Sequence, residues 1–230
     1  MKEDYSFTRY LAAKKSVDDR ALNAHVSQTL CGALAGKEDL SVLEAGAGIG
    51  TMVERLYERQ IILPGARYTA VDAQADNIEM ARQRLRPLQK EFVLELEAID
   101  LFDFIAREQG RRSWDLLIAH AFLDLLDLQT TLPQLFALLK QGGLFYFTIN
   151  FDGQTILHPL IDRELDEQIM ALYHHTMDTR LVNGRLSGDS QTGRMLFTQL
   201  PAAGAEILDA GSSDWVVYPR AGVYEADEAY

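Results

Sequence analysis

Apolar residues in the first 150 positions follow two alternating spacings. Short apolar runs predict five strands, at residues 40–44, 68–71, 92–99, 114–119 and 144–149. Between these runs, apolar residues recur every three or four positions, as they do on one face of a helix. Strands that alternate with helices are typical of βαβ units. This part of the chain is therefore predicted to form a doubly wound, mostly parallel sheet with helices on both faces.

The regions outside this alternation carry other patterns. The first forty residues are predicted to be helical, because Leu22, Val26 and Leu30 share one helix face. A long segment at residues 151–188 contains one helical stretch, and a further helix is predicted at about residues 190–200.

Two more strands are predicted near the C-terminus, at residues 206–209 and 215–218. The turn between them is too short for a helical crossover, so they are expected to form an antiparallel hairpin at the sheet edge. The predicted fold class is therefore α/β, with a doubly wound, mostly parallel, seven-stranded sheet and a C-terminal antiparallel hairpin. With 230 residues, the chain is expected to be a single domain.

Composition narrows the classes of function. Lysine and arginine total 22 against 34 acidic residues, a net charge of −12, which argues against binding along a nucleic-acid backbone. The single cysteine, Cys31, excludes an internal disulfide and a cysteine-rich zinc site, and we expect it to be buried. An acidic start without an apolar segment argues against a signal peptide, and no apolar run approaches a membrane span. A cytoplasmic protein without membrane contact is the expectation.

A glycine-rich turn gives the strongest chemical signal. Gly46, Gly48 and Gly50 follow the first strand, where glycine lets the backbone pass close to a ligand. The next helix offers free N–H groups and a positive dipole end at its N-terminus. Asp72 ends the second strand, and a carboxylate there can accept two hydrogen bonds from a ribose diol. Together these features predict a nucleoside site at the mouth of the sheet.

The spacing of the glycines separates the nucleoside-binding classes. The dinucleotide fingerprint G-x-G-x-x-G would need a third glycine where this chain has Thr51, and the chain has no phosphate-binding Gly-Lys-Ser/Thr motif. From residues 40 to 150 the chain resembles the class I S-adenosylmethionine-dependent methyltransferases. The resemblance rests on an ordered set of segments: 42–50 (VLEAGAGIG), 71–73 (VDA), 99–101 (IDL), 114–119 (WDLLIA), the glycine pair 142–143 and the closing hairpin.

The resemblance implies a role for each motif position, with S-adenosyl-L-methionine as the cofactor. Gly46 and Gly48 would lie against its methionine part, and Glu44 would support the glycine loop. Asp72 would hold the ribose hydroxyls. The other implied cofactor-binding residues are Ala47 in the loop, Ala73 beside the adenine, Asp100 on its amino group, Leu101 with its N–H on a ring nitrogen, and Ala119, His120 and Phe122 near the sulfonium.

Simpler explanations stay open for the same residues. The glycine turn could serve only tight packing, and Asp72 could be a helix cap. Asp100 could likewise only cap a short helix, and His120 could be a satisfied structural histidine. The neighbours His174 and His175 do not face the same way on a helix, so no metal site is expected there.

Methyl transfer from a sulfonium is an in-line displacement, so the protein mainly supplies alignment and exclusion of water. A base is needed only for a protonated acceptor, and His120 is the candidate catalytic residue. Asp152, His158 and Tyr173 are alternatives. We expect an N-terminal helical lid at about residues 1–38 and a substrate-cap insertion at about 151–188. The candidate substrate and lid residues are Tyr5, Tyr10, Arg20, Asn150, His158 and Tyr173.

The acceptor is expected to be a small molecule. Family members that methylate nucleic-acid amino groups carry an Asn/Asp-Pro-Pro-aromatic motif after the fourth strand, where this chain has the residues 119–122 (AHAF). Methylation of pyrimidine carbon-5 needs a cysteine in that region, and Cys31 precedes the glycine loop. We therefore expect no nucleic-acid partner, and a monomer or homodimer. The alternatives are a cofactor-binding module without transferase activity and a nicotinamide-dependent oxidoreductase.

Overall fold

A computed structural model describes residues 5–182 and 184–230. Its centre is a five-stranded sheet in the order β3-β2-β1-β4-β5, in which every neighbouring pair is parallel. The strands are β1 (Ser41–Ala45), β2 (Arg67–Asp72), β3 (Val93–Ala98), β4 (Trp114–His120) and β5 (Leu139–Thr148). The α/β fold and the parallel sheet predicted from the apolar spacing are confirmed.

Nine α-helices are present in the described part of the chain. They are α1 (Phe7–Ala13), α2 (Lys15–Ala21), α3 (Ala24–Leu34), α4 (Thr51–Glu58), α5 (Ala75–Arg84), α6 (Leu101–Glu108), α7 (Leu128–Phe136), α8 (Arg163–Asp178) and α9 (Thr192–Ala202). Two 3-10 turns lie at Arg86–Lys90 and Leu123–Leu125. None of these helices combines the length and apolarity needed to cross a membrane.

The two faces of the sheet bury separate apolar clusters. Successive residues of β1 alternate between them, with Val42 in one cluster and Leu43 in the other. The first cluster includes Leu30 of α3 and Leu56 of α4, whereas the second includes Phe104 of α6. Burial on both faces explains why β1 is a continuous buried strand. It also fixes the carboxyl ends of β1, β2 and β4 at one edge, where the glycine loop begins.

The predicted seven-stranded sheet and C-terminal hairpin are not seen in the described residues, because the main sheet has five strands. Residues 206–209 and 215–218 contain no strand, and a groove of about 450 Å³ separates the outer edge of β5 from residues 203–209. Residues around Trp215 are drawn to α2 instead, because the Trp215 indole and the Val216 carbonyl both hydrogen-bond there. The two further strands, β6 (Leu181–Val182) and β7 (Arg185–Leu186), form a short antiparallel pair inside the insertion.

Two local predictions also need correction. Gly142 and Gly143 lie within β5 rather than before it, and the pairing with β4 shifts register between Trp114 and Leu116. Gly142 has a left-handed backbone (φ 71°), which suits an irregularity of this kind. Cys31 is exposed on α3, not buried, because the apolar face of that helix is formed by Leu30 and Leu34.

Candidate functional site

Three left-handed glycines form the turn between β1 and α4. Gly46, Gly48 and Gly50 have φ angles of 68°, 53° and 79°, and residues that carry a Cβ atom rarely adopt this region. A Cβ atom at Gly46 would overlap the ring of Phe122, and one at Gly48 would lie 3.3 Å from Cδ1 of Leu11. The glycines therefore serve the turn itself and the close approach of two covering side chains.

Asp72 joins the end of β2 to this turn. Its Oδ2 accepts a hydrogen bond from the Gly48 N–H at 2.9 Å. Its Oδ1 accepts from the Gln74 N–H at 2.8 Å and from Nδ2 of Asn77 at 3.1 Å. The half-buried carboxylate thus orders the start of α5 and the glycine loop together. The N-cap residue of α5 is Gln74, so Asp72 is not the helix cap, and its Oδ2 keeps a lone pair for a further donor.

Glu44 lies directly below the loop, on β1. Its side chain is buried and accepts a hydrogen bond from the Tyr68 hydroxyl at 2.7 Å. Burial raises the pKa of Glu44 to about 7, despite the opposing effects of the Tyr68 hydrogen bond and the charge on Arg55. Its hydrogen bond is therefore to β2, not to the loop backbone.

The residues expected around the adenine lie one strand further out. Asp100 is the N-cap of α6 and accepts from the Phe102 N–H at 2.8 Å. Both Asp100 and Ala73 are exposed, whereas Leu101 is buried. Because Asp72 and Ala98 are register partners on β2 and β3, the turns that follow them share one edge.

His120, at the end of β4, is buried and has a partner at each ring nitrogen. Nδ1 lies 2.7 Å from Oγ1 of Thr148, and Nε2 lies 3.0 Å from Oδ2 of Asp18. Burial lowers the pKa of His120, with Asp18 opposing that change. A carboxylate can only accept, so we assign the proton of the neutral imidazole to Nε2, and Nδ1 accepts from the Thr148 hydroxyl.

Asp18 of α2 is the centre of a buried polar junction. Its Oδ1 accepts from the Trp215 indole N–H at 2.9 Å, and its Oδ2 lies 3.2 Å from Nζ of Lys14 and 4.0 Å from Nη2 of Arg55. Although burial opposes ionisation, the pKa of Asp18 is lowered to about 2 by the His120 hydrogen bond and by nearby cations. Asp18 is therefore a carboxylate.

Sequence reasoning missed Asp18, because its partners are far away in the chain. His120 lies 102 positions from Asp18, and Trp215 lies 197 positions away. No local spacing or periodicity signals such a contact.

The predicted lid residues divide into two groups. Tyr10 is half-buried on α1, and burial raises its pKa, with Asp18, Tyr5 and Tyr173 acting in the same direction. The ring of Tyr10 lies 6.0 Å from that of Phe7. Tyr5 is mostly exposed and stacks on Tyr230, with ring centroids 6.2 Å apart.

Arg20 and His158 take positions away from this group. The Arg20 guanidinium binds Glu228 at 2.7 and 3.0 Å and the Val216 carbonyl at 3.4 Å, so it faces the C-terminal segment. His158 is exposed in the stretch that precedes α8. Asn150 is half-buried just after β5, and its neighbour Phe151 contacts α8.

Residues 43–145 match a family described as a methyltransferase domain. This segment of the chain is similar to the class I S-adenosylmethionine-dependent methyltransferases. The matched range contains most of β1, all of β2 to β4, most of β5, the glycine loop and the Asp72 carboxylate. S-adenosyl-L-methionine is the cofactor, and the left-handed glycine turn with an acid at the end of β2 fits it.

A curated relative and two solved structures resemble the methyltransferase domain. The chain is 32% identical over 117 residues to malonyl-[acyl-carrier protein] O-methyltransferase of Acetivibrio thermocellus, covering 50% of this chain and 37% of that protein. The cyclopropane synthase MmaA2 from Mycobacterium tuberculosis superposes with a TM-score of 0.55 at 11% identity, covering 80% of this chain and 61% of that chain.

The mycolic acid cyclopropane synthase CmaA1, solved with SAH and CTAB, gives a TM-score of 0.53 at 16% identity, with the same coverage of 80% and 61%. At these identities the two structures establish the fold of the methyltransferase domain. The chain spans about a third (37%) of the length of the curated relative.

Proposed function

We propose that this chain transfers the methyl group of S-adenosyl-L-methionine to a small-molecule acceptor. The observation that carries the proposal is the Asp72 carboxylate, held at the glycine loop by the Gly48 N–H at 2.9 Å. A carboxylate that can accept hydrogen bonds from ribose hydroxyls and a left-handed glycine turn are thus in one place. Both lie inside the range that matches the methyltransferase family.

The cofactor would lie along the carboxyl ends of β2, β1 and β4. Asp72 would accept from the ribose hydroxyls, and the turn at Ala73 together with Asp100 and Leu101 would contain the adenine. Gly46 to Gly48 would lie beside the methionine part, near the first-turn amides of α4, which lack intrahelical partners. When bound, the cofactor supplies an activated methyl group on a sulfonium.

His120 is the proposed base when the atom to be methylated carries a proton. Its Nδ1 lone pair faces the Thr148 hydroxyl, and its Nε2–H is fixed by the Asp18 carboxylate. A proton taken up at Nδ1, relayed through the Thr148 hydroxyl, would give an imidazolium that Asp18 stabilises. The same hydrogen bonds would hold the ring in position at the end of β4.

The acceptor would enter on the side covered by α1 and α8. Leu11 of α1 lies against Gly48, so the N-terminal helices are the proposed lid, and residues 151–188 are the proposed cap. The curated relative's substrate is not transferred to this chain, because the match covers only half of it. We propose a single domain with no nucleic-acid partner, consistent with the charge of −12.

The test is calorimetric titration with S-adenosylhomocysteine and, separately, with NAD. The wild-type chain should bind the first and not the second. Replacing Asp72 with alanine removes one or two charge-assisted hydrogen bonds, each about 1.5–3 kcal/mol, so affinity should fall about 10-fold or more. The matched control is Asp103→Ala, an exposed carboxylate on α6, which should bind like the wild type.

Unchanged affinity in Asp72→Ala would remove that residue from the site. Binding of NAD in place of S-adenosylhomocysteine would overturn the assignment in favour of an oxidoreductase. Cofactor binding without any methylated product across pools of amines, alcohols and acids would leave only a binding module.

A further inference from the structure

Three buried polar atoms beyond the ends of β4 and β5 lack a hydrogen-bond partner among residues 5–182 and 184–230. They are Oδ1 of Asp124, Oδ1 of Asn150 and Nε2 of His174. Buried polar atoms in native proteins are nearly always hydrogen-bonded, so unpaired ones point to a missing partner. None of the three is accounted for by the proposed cofactor contacts or by the Asp18 junction.

The three residues belong to the acceptor side of the sheet. Asp124 lies in the 3-10 turn after β4, and Asn150 follows β5, its parallel neighbour, so both turns lie at the same edge. The ring of Phe151, next to Asn150, lies 5.7 Å from the rings of both Tyr173 and His174. The helix α8 therefore closes over this edge with His174 on its inner side.

Aromatic rings lie at the same edge of the sheet. Tyr173 and His174 are 6.0 Å apart, and Tyr173 meets Phe151 edge to face. Burial raises the pKa of Tyr10 of α1, and Tyr173 and Asp124 act in the same direction. A carboxylate among aromatic faces is the arrangement that proteins use to recognise organic cations.

The charges around Asp124 agree with an external partner. Burial raises the pKa of Asp124, and the cations that oppose this effect are Arg180 and Lys14. Neither cation donates a hydrogen bond to Oδ1, and Lys14 is paired with Asp18 at 3.2 Å. Oδ1 of Asp124 and Oδ1 of Asn150 can only accept, so they call for a ligand rich in N–H donors.

We propose that Asp124, Asn150 and His174 form the polar wall of the acceptor site, and that this site binds a small amine with an aromatic or apolar body. The amine nitrogen would donate to Asp124 and Asn150, and the body would lie against Tyr10 and Tyr173. This inference rests on the proposed function, because it names the acceptor class for the same site.

The experiment uses 2-phenylethylamine as the probe, with 2-phenylethanol and 3-phenylpropionate as matched compounds of similar shape. Binding is measured by calorimetry with and without saturating S-adenosylhomocysteine. The amine should bind at least about 10-fold more tightly than the alcohol, since a charge-assisted hydrogen bond is lost in the alcohol. The carboxylate should bind more weakly still.

Asp124→Asn should weaken amine binding about 10-fold while leaving the affinity for S-adenosylhomocysteine unchanged. Asp103→Asn, at an exposed position of α6, is the matched control and should change neither. Should Asp124→Asn fold poorly, Tyr173→Leu on the exposed helix α8 gives a second test, with a several-fold loss for the amine.

Equal binding of the three probes, or amine binding unchanged in both variants, would overturn the inference. Binding of S-adenosylhomocysteine with no amine binding would overturn the inference and leave the proposed function standing. Amine selectivity without any binding of S-adenosylhomocysteine would overturn the proposed function and leave an amine-binding site at Asp124.

Discussion

The sheet and the two chain ends are held together by different kinds of contact. Residues 41–148 form β1 to β5, and the two faces of this sheet bury apolar side chains. The N-terminal helices and the C-terminal segment meet through polar groups instead. Arg9 binds Asp227, Ser16 and Arg20 bind Glu228, and these partners are more than 200 positions apart.

The difference has a physical consequence for the site. Apolar burial is insensitive to salt and pH near neutrality, whereas exposed ion pairs contribute about 0–1 kcal/mol and are screened by salt. The glycine loop therefore lies on the apolar part of the molecule, and its cover, with Leu11 against Gly48, lies on the part whose contacts depend more on salt and pH.

The largest expected effect comes from the junction that joins the two halves. Asp18→Ala would leave the buried His120, Lys14 and the Trp215 indole without their shared acceptor. Removing one member of a buried charged set costs about 3–5 kcal/mol. Urea denaturation should show this loss, while the exposed control Asp214→Ala should stay within about 0.5 kcal/mol of the wild type. A loss below about 1 kcal/mol would mean that the halves are joined elsewhere.

The next effect lies inside the sheet and depends on pH. The pKa of Glu44 is raised from 4.5 to about 7 by burial, so between these values the folded chain keeps a proton that the unfolded chain releases. Stability therefore falls as pH rises through that window, by about 3 kcal/mol.

Glu44→Gln keeps an acceptor for the Tyr68 hydroxyl and removes the titration. Measured by urea denaturation at pH 5 and pH 8, the wild type should lose about 3 kcal/mol relative to this variant. An equal change in the free energy of unfolding of the two proteins between pH 5 and pH 8 would show that Glu44 does not titrate in this range.

The smallest effect concerns the C-terminal segment in acid. Hydrogen bonds from Arg9 and Arg20 lower the pKa values of Asp227 and Glu228. Their contribution is complete above the ordinary pKa values of 3.8 and 4.5 and is lost as pH falls below them.

Acrylamide quenching reports this loss, because Trp215 is 44% exposed and Trp114 only 2%. Quenching of Trp215 should rise as the pH is lowered from 6 to 3 at low salt. In Arg20→Met the rise over the same pH range should be smaller than in the wild type. Quenching that stays constant with pH would contradict an ionic closure of the segment.

The same division explains what the sequence could predict. Strand positions and the glycine turn follow from local spacing, so β1 to β4 and the loop were placed within a residue or two. Asp18 and Trp215 gave no signal, because a junction of side chains far apart in sequence leaves no periodic trace. The hairpin at residues 206–218 failed for a related reason, since side-chain contacts with α2 compete with strand pairing.

Within residues 5–182 and 184–230, no strand pairs with the outer side of β5, and this has a consequence for the molecule in crowded solution. An uncovered row of peptide groups is a template on which another chain can build, and such growth leads to fibrils. Here the left-handed Gly142 and the charged Lys140 interrupt that row near its start. The run open to addition is therefore limited to the part of β5 beyond Gly143, and the same irregular start of the strand is where its pairing with β4 shifts register.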